Sequence, residues 1–183
     1  MLINGPPRAG KDVAARELWR AKGYQREKFA APLKASTAAF FNLTCDELEA
    51  RKDEAMPELR GRSPREVDIS KSEEWAKRFF GDDIFGWLCA QRVRRLATPT
   101  CISDCGFQVE VDAFAEHFEA SDMLLLRVTR EGRSFDGDSR DWVEPCRGMA
   151  SAEVANDGSF GDFCARVSRV VSAWERDCAE RAR

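Results

Sequence analysis

The chain predicts an α/β fold with a parallel sheet and helices on both faces, and three observations carry that prediction. Apolar runs of strand length alternate with helical patterns from end to end. The first run, Met1 to Asn4, opens into Gly5-Pro6-Pro7-Arg8-Ala9-Gly10-Lys11-Asp12. That spacing, two glycines separated by four residues with lysine directly after the second, is the phosphate-cradling P-loop. The clearest strand, Met123 to Val128, empties into a long arginine-rich loop.

The P-loop reading rests on physics as well as spacing. A glycine-rich turn that opens a helix offers backbone N–H groups and the positive end of the helix dipole to a polyphosphate. Lys11 would then reach the β- and γ-phosphates. Asp12 stands where Ser or Thr ordinarily holds magnesium through a hydroxyl, and a carboxylate serves a hard cation directly or through water. Val13, Ala14 and Leu18 continue the pattern as a helix, the context that the motif requires.

At 183 residues the chain predicts one domain, and 43% hydrophobic with 33% charged residues is a globular composition. A formal net charge of −3 gives no general bias toward nucleic acid or acidic membrane, so such contacts need a local patch. The seven cysteines lack paired C-x-x-C spacing and are expected to be reduced, mostly buried thiols of a cytoplasmic protein. No membrane span is expected, and the N-terminus runs into the P-loop without room for a signal peptide.

In chain order, a strand over 1–4 leads to a helix over 11–22 closed by Gly23. Tyr24 to Phe29 reads as a second strand, and a helix restarts near Ala30 with Pro32 in its first turn. Its Leu33, Ala38, Phe40 and Phe41 are expected to serve as core or as a pocket wall. From Thr44 to Arg78 eight basic and ten acidic residues alternate, which describes a solvated surface. Within it Ser63-Pro64-Arg65-Glu66 carries a capping box with proline at the first helical position, so a helix begins at Pro64. The nearby Arg60, Arg62 and Arg65 are an anion-site candidate.

Asp82 to Leu96 reads as a helix with Phe85, Leu88, Cys89, Val93 and Leu96 inward. Pro99 to Ser103 is a buried strand ending in Asp104, which is placed either to ligate magnesium or to cap the helix that carries Val109, Val111, Phe114 and Phe118. His117, the single histidine, falls late in that helix and leaves the chemistry without a histidine base. The loop from Thr129 to Arg140 reads as a phosphate-covering lid, or else as a solvated loop whose arginines pair with its own acids. A strand near 150–155 precedes Asn156-Asp157-Gly158, and a terminal helix follows with Phe160, Phe163, Cys164, Val167, Val170, Val171, Trp174 and Cys178 at helical spacing.

Taken together, Gly5 to Asp12, Lys28-Phe29-Ala30-Ala31-Pro32-Leu33-Lys34, Ser63 to Glu66, Asp104 and Asp138-Ser139-Arg140 resemble the phage deoxynucleoside monophosphate kinases, within the wider P-loop kinase group. The resemblance covers nearly the whole chain and implies a three-layer P-loop NTPase fold. It implies a core of 1–43 and 97–183, an acceptor-binding helical region 44–96 and a lid 129–143. ATP with Mg²⁺ would lie on Gly5, Pro6, Arg8, Ala9, Gly10, Lys11, Asp12 and Val13, with Asn156 beside it and Asp12 and Asp104 toward the metal. Lys34, Arg60, Arg62, Arg65 and Asp68 would hold the acceptor, and Arg130, Arg133 and Arg140 would close over the transferring phosphate with Lys11 and Asp12.

The acceptor stays open between two classes. Where these kinases commonly run on into leucine, glutamine and glycine, this chain has Val67 to Trp75. A monophosphate needs arginines and no base, whereas a hydroxyl benefits from a carboxylate such as Asp68. In outline the chain also resembles phage kinases that phosphorylate the hydroxymethyl group of 5-hydroxymethyluracil in DNA. A nucleotide-gated binding protein without turnover is the third class.

Overall fold

The computed structural model describes residues 1–96, 98–181 and 183. Five strands form one sheet: β1 (Leu2–Asn4), β2 (Gln25–Glu27), β3 (Thr100–Cys105), β4 (Leu124–Thr129) and β5 (Ala150–Ala155). Their order is β2-β3-β1-β4-β5, with every neighbouring pair parallel. The P-loop strand is therefore central, flanked by β3 and β4. The carboxyl ends beside it form the crevice in which open α/β sheets bind ligands.

Alternation along the strands builds two cores, because successive side chains point to opposite faces. Ile3, Cys101, Leu124 and Leu126 pack under α1 (Lys11–Lys22) and α8 (Phe160–Arg181), with Leu18, Phe163, Val167 and Val171. Leu2, Ile102 and Leu125 face the other way, under α2 (Ala31–Phe41), α6 (Ile84–Val93) and α7 (Gln108–Ala115). The result is the expected α/β fold with helices on both faces of a parallel sheet. Gly86 lets α6 lie against α7, since a Cβ there would stand 2.2 Å from the Glu110 carbonyl oxygen.

The helical region between β2 and β3 has a small core of its own, Ala38, Leu48, Met56 and Leu59. It contains α3 (Cys45–Ala50), a 3₁₀ turn over Pro57–Leu59, α4 (Pro64–Ser70), a π-helical stretch Lys71–Ala76 and α5 (Lys77–Phe80). Capping boxes begin α3 at Thr44 with Glu47 and α4 at Ser63 with Glu66, the second as expected. The sequence reading left α3 and the π stretch unassigned.

Several local expectations need correction. Phe40 is 81% exposed rather than core, because α2 turns Leu33 and Ala38 inward and leaves that side open. The sixth helix ends at Val93, so Leu96 lies beyond it and is exposed, and Val109 is exposed on α7. Ala97, where the core was expected to resume, lies outside the described residues. Of the cysteines, all free, Cys89, Cys101, Cys105 and Cys164 are buried, and burial pushes the Cys89 thiol up to about 12 and Cys101 up to about 11. Among the described residues no helix is long and apolar enough to cross a membrane.

Candidate phosphate-binding site

The P-loop earns its shape from three residues in left-handed or glycine-favoured conformations, Gly5 at φ 156°, Arg8 at 62° and Gly10 at 115°. A Cβ on Gly5 would meet the Val128 carbonyl oxygen at 2.3 Å, and one on Gly10 would meet the Asn156 Nδ2 at 2.5 Å. Asn156 explains the second clash: its amide donates to the Ala9 carbonyl at 2.7 Å and braces the loop from behind. α1 starts at Lys11 with no side-chain cap. Among the described residues the backbone N–H groups of Gly10, Lys11, Asp12 and Val13 have no acceptor within the chain. Uncapped amides at a helix N-terminus are a ready anion site.

Lys11 is 9% exposed, and its Nζ donates to the carbonyls of Gly5 at 2.5 Å and Pro6 at 2.8 Å. Burial pulls its pKa down to about 8, and the Arg140 guanidinium pushes the same way. Two cations therefore share a small volume, held there by the acids Asp12, Asp138 and Asp104. Asp138 grips Arg140 bidentately, Nε to Oδ1 at 2.8 Å and Nη2 to Oδ2 at 2.7 Å, and this bond outweighs partial burial to bring the carboxyl down to about 2.

Asp12 is exposed at the helix start, where it accepts from Ser103 Oγ at 2.9 Å and lies 3.5 Å from Lys28 Nζ. Loss of water on its inner side works to raise its carboxyl, but Lys28 and Ser103 prevail and hold it below the usual carboxylate range. Asp104 lies within β3 and does not cap α7, whose N-cap is Phe107; it caps the approach to α2, accepting from the Phe29 N–H at 2.8 Å and the Ala30 N–H at 3.0 Å. Burial raises its pKa against the pull of those amides and Lys28. Among the described residues no group of three or more His, Cys, Asp or Glu side chains gathers around one point. The donor set fits magnesium that would take most of its oxygens from phosphate and water, with Asp12 as the exposed carboxylate, one of whose oxygens is engaged by Ser103 and Lys28, and Asp104 near it.

The loop after β4 splits into two parts. Its exit leg is pinned: buried Asn4 donates to the carbonyls of Cys105 at 3.0 Å and Asp141 at 3.1 Å and accepts from the Val143 N–H at 3.3 Å. Arg127 adds a bond to the Val143 carbonyl at 2.6 Å, and Gln108 pairs with the Glu144 main chain. Its outer part carries exposed Arg130 and Arg133. Arg130 Nη1 reaches the Arg8 carbonyl at 3.4 Å, and the Glu131 N–H donates to Asp157 Oδ1 at 2.7 Å. Arg130, Glu131, Asn156, Asp157 and Gly158 line a polar hollow of about 250 Å³ beside the P-loop.

In the helical region Asp68 accepts from buried Thr37 Oγ1 at 2.7 Å, and Lys71 Nζ donates to Thr37 at 3.1 Å and Ser36 at 2.6 Å. Lys34 pairs with Glu49, and burial followed by the Lys28 charge lowers its pKa. Arg60, Arg62 and Arg65 are exposed; Arg65 pairs with Asp53 at 2.5 Å, and Arg62 lies near Glu66. The structure thus gathers Lys11, Asp12, Asp104 and Arg140 at the carboxyl ends of the central strands and Lys34 with Asp68 nearby on α2 and α4. No hydrogen bond or ion pair joins Asp68 to the three arginines among the described residues.

Sequence reasoning missed Asn4, Lys28 as an Asp12 partner, Ser103, Gly106 and Asp157. Only Lys28 carried a signal, its place in the segment leading to Lys34.

No family model and no curated protein matches the chain. Among solved structures it is similar to a gluconokinase from Sinorhizobium meliloti 1021, with a TM-score of 0.51 at 12% identity, covering 99% of this chain and 94% of that one. At that identity the likeness is one of fold. It extends over nearly the full length of both chains.

Proposed function

We propose that the protein is an ATP-dependent phosphotransferase whose acceptor is a deoxynucleotide, a deoxynucleoside monophosphate first. One observation carries the kinase reading: a buried lysine held by loop carbonyls beneath uncapped helix amides, with a second cation, Arg140, fixed beside it. Such a set of donors suits a chain of phosphates and little else. Likeness in fold to a gluconokinase over 99% of the chain supports it.

In this reading the first-turn amides and Lys11 hold the β- and γ-phosphates, and Lys11 exchanges the Gly5 and Pro6 carbonyls for phosphate oxygens. The hollow at Asn156, Asp157 and Arg130 takes the nucleoside. Asp12, oriented by Ser103, would hold magnesium together with Asp104, and bound magnesium would supply charge neutralisation on the phosphate oxygens. An acceptor oxygen attacks the γ-phosphorus as the bond to the bridging oxygen breaks and ADP leaves. Arg140 balances the charge in flight, and Arg130 and Arg133 close from outside. The acceptor lies toward Lys34 and Asp68, with Arg60, Arg62 and Arg65 on the outer approach.

A second reading has its own observation. Asp68, bonded to Thr37 and close to Lys34, is placed to take a proton from a hydroxyl, as the hydroxymethyl group of a modified base in DNA would require. Asp68→Asn separates the two. A hydroxyl-phosphorylating enzyme loses most of its kcat, whereas a monophosphate kinase keeps its kcat and binds its acceptor at least as tightly.

A further inference from the structure

Gly106 follows β3 at the floor of the crevice and is buried, and its conformation does not demand glycine, because its φ lies outside the left-handed region. Space demands it. A Cβ built on Gly106 would stand 2.7, 2.7 and 2.8 Å from Cβ, Cγ and Cδ of Arg140, separations that bonded neighbours alone ever show. The arginine stem lies flat in the notch that the missing side chain leaves.

Arg140 has no easy way to move aside. The stem atoms involved are those nearest its own backbone, and the next residue is tied down: the Asp141 N–H donates to the Gly106 carbonyl at 3.0 Å, and Asn4 accepts and donates along 141–143. At the far end Asp138 grips the guanidinium through two nitrogens. Stem and head are therefore fixed independently, one by a void and one by a carboxylate.

We propose that Gly106 and Asp138 are positioning residues that hold Arg140 as a preset, immobile cation in front of Lys11, so that only the outer part of the loop, with Arg130 and Arg133, closes over bound nucleotide. This rests on the reading of the crevice as a triphosphate site and adds a division of labour to it. Phosphate oxygens then meet Arg140 already oriented, with little rotamer entropy left to lose. An added methyl at position 106 forces the stem out of the notch and turns the head away from Lys11.

The test reads binding rather than turnover and needs no acceptor. Dissociation constants are measured by calorimetry for Mg-ADP and for a non-hydrolysable Mg-ATP analogue, and their ratio reports recognition of the γ-phosphate. Arg140→Ala is expected to cut the ratio about tenfold or more, the worth of a charge-assisted bond. Gly106→Ala is expected to cut it to a similar degree with its thermal midpoint retained, and Gly106→Ala with Arg140→Ala should lose no more than Arg140→Ala alone, because both act through one guanidinium. If Gly106→Ala fails to fold, Asp138→Asn carries the test, since it frees the head without adding an atom and should lower the same ratio. A normal ratio in Arg140→Ala overturns the phosphate role of Arg140 itself. A normal ratio in folded Gly106→Ala, or in Asp138→Asn, beside a low one in Arg140→Ala leaves that role standing and overturns the positioning claim.

Discussion

The buried lysine of the P-loop makes a prediction about stability that activity does not enter. Folding takes Lys11 from a pKa of 10.5 to about 8, chiefly by burial. At about 1.4 kcal/mol per pKa unit, the protonated lysine costs the folded state on the order of 3 kcal/mol. The sign follows from the protons bound. Below about pH 8 both states hold the proton and the cost is present in full. From about 8 to 10.5 the folded state releases it while the unfolded chain retains it, so stability rises with pH and the cost is gone above 10.5. Lys11→Met keeps the length of the side chain and removes the titration. The assay is urea unfolding followed by tryptophan fluorescence, under reducing conditions, for both proteins from about pH 7 to 10. Other groups titrate alike in both and cancel in the difference. Wild-type stability relative to Lys11→Met should climb by about 2 kcal/mol or more over that range. Saturating Mg-ATP should flatten the climb, because phosphate beside Lys11 stabilises its proton. Parallel profiles without nucleotide would refute the burial argument, and a climb unaffected by ATP would separate Lys11 from the phosphates.

Three further outcomes follow from other groups. Lys11→Ala should fold and lose phosphoryl transfer by about a thousandfold or more, the scale of removing a charge aimed at the transferring group, as measured by release of ADP with acceptor present. Asp12→Asn removes the exposed carboxylate at the loop and should raise the magnesium concentration for half-maximal rate, with activity partly recovered at high magnesium; an unchanged magnesium titration would make Asp12 a partner of Lys28 and Ser103 only. Burial, with Asp104 adding to it, brings the Glu110 carboxyl up to about 8, so the unfolded chain ionises first and wild type should lose stability relative to Glu110→Gln as pH rises from about 4.5 to about 8.

Features set by short-range chemistry were legible from the sequence. The Gly5 to Lys11 spacing, the Gly23 cap that ends α1, the Ser63 box and the 150–155 strand all depend on residues within a few positions of one another. Partners far apart in sequence were hidden. Asp104 reads as a magnesium ligand or as a cap for the helix that follows it, yet the amides it caps lie 75 and 74 positions earlier. Asn4 looks like the polar end of a strand, and its bond to Asp141 spans 137 positions. Gly106 carries no turn signature, because what it accommodates is an arginine stem from another loop. Phe40 failed as core for a related reason: α2 is apolar around much of its girth, and the side that becomes buried is chosen by α3 and α4.

Transfer of the γ-phosphoryl group of ATP to a deoxynucleotide is read out by a screen with γ-labelled ATP. Free deoxynucleoside monophosphates, ordinary DNA and hydroxymethylated DNA are offered in parallel, with Lys11→Ala as the control. Label is expected in a deoxynucleoside diphosphate with the wild type and nowhere with Lys11→Ala. Label confined to hydroxymethylated DNA would contradict the choice of acceptor, and wild-type label transfer by Lys11→Ala would contradict the site.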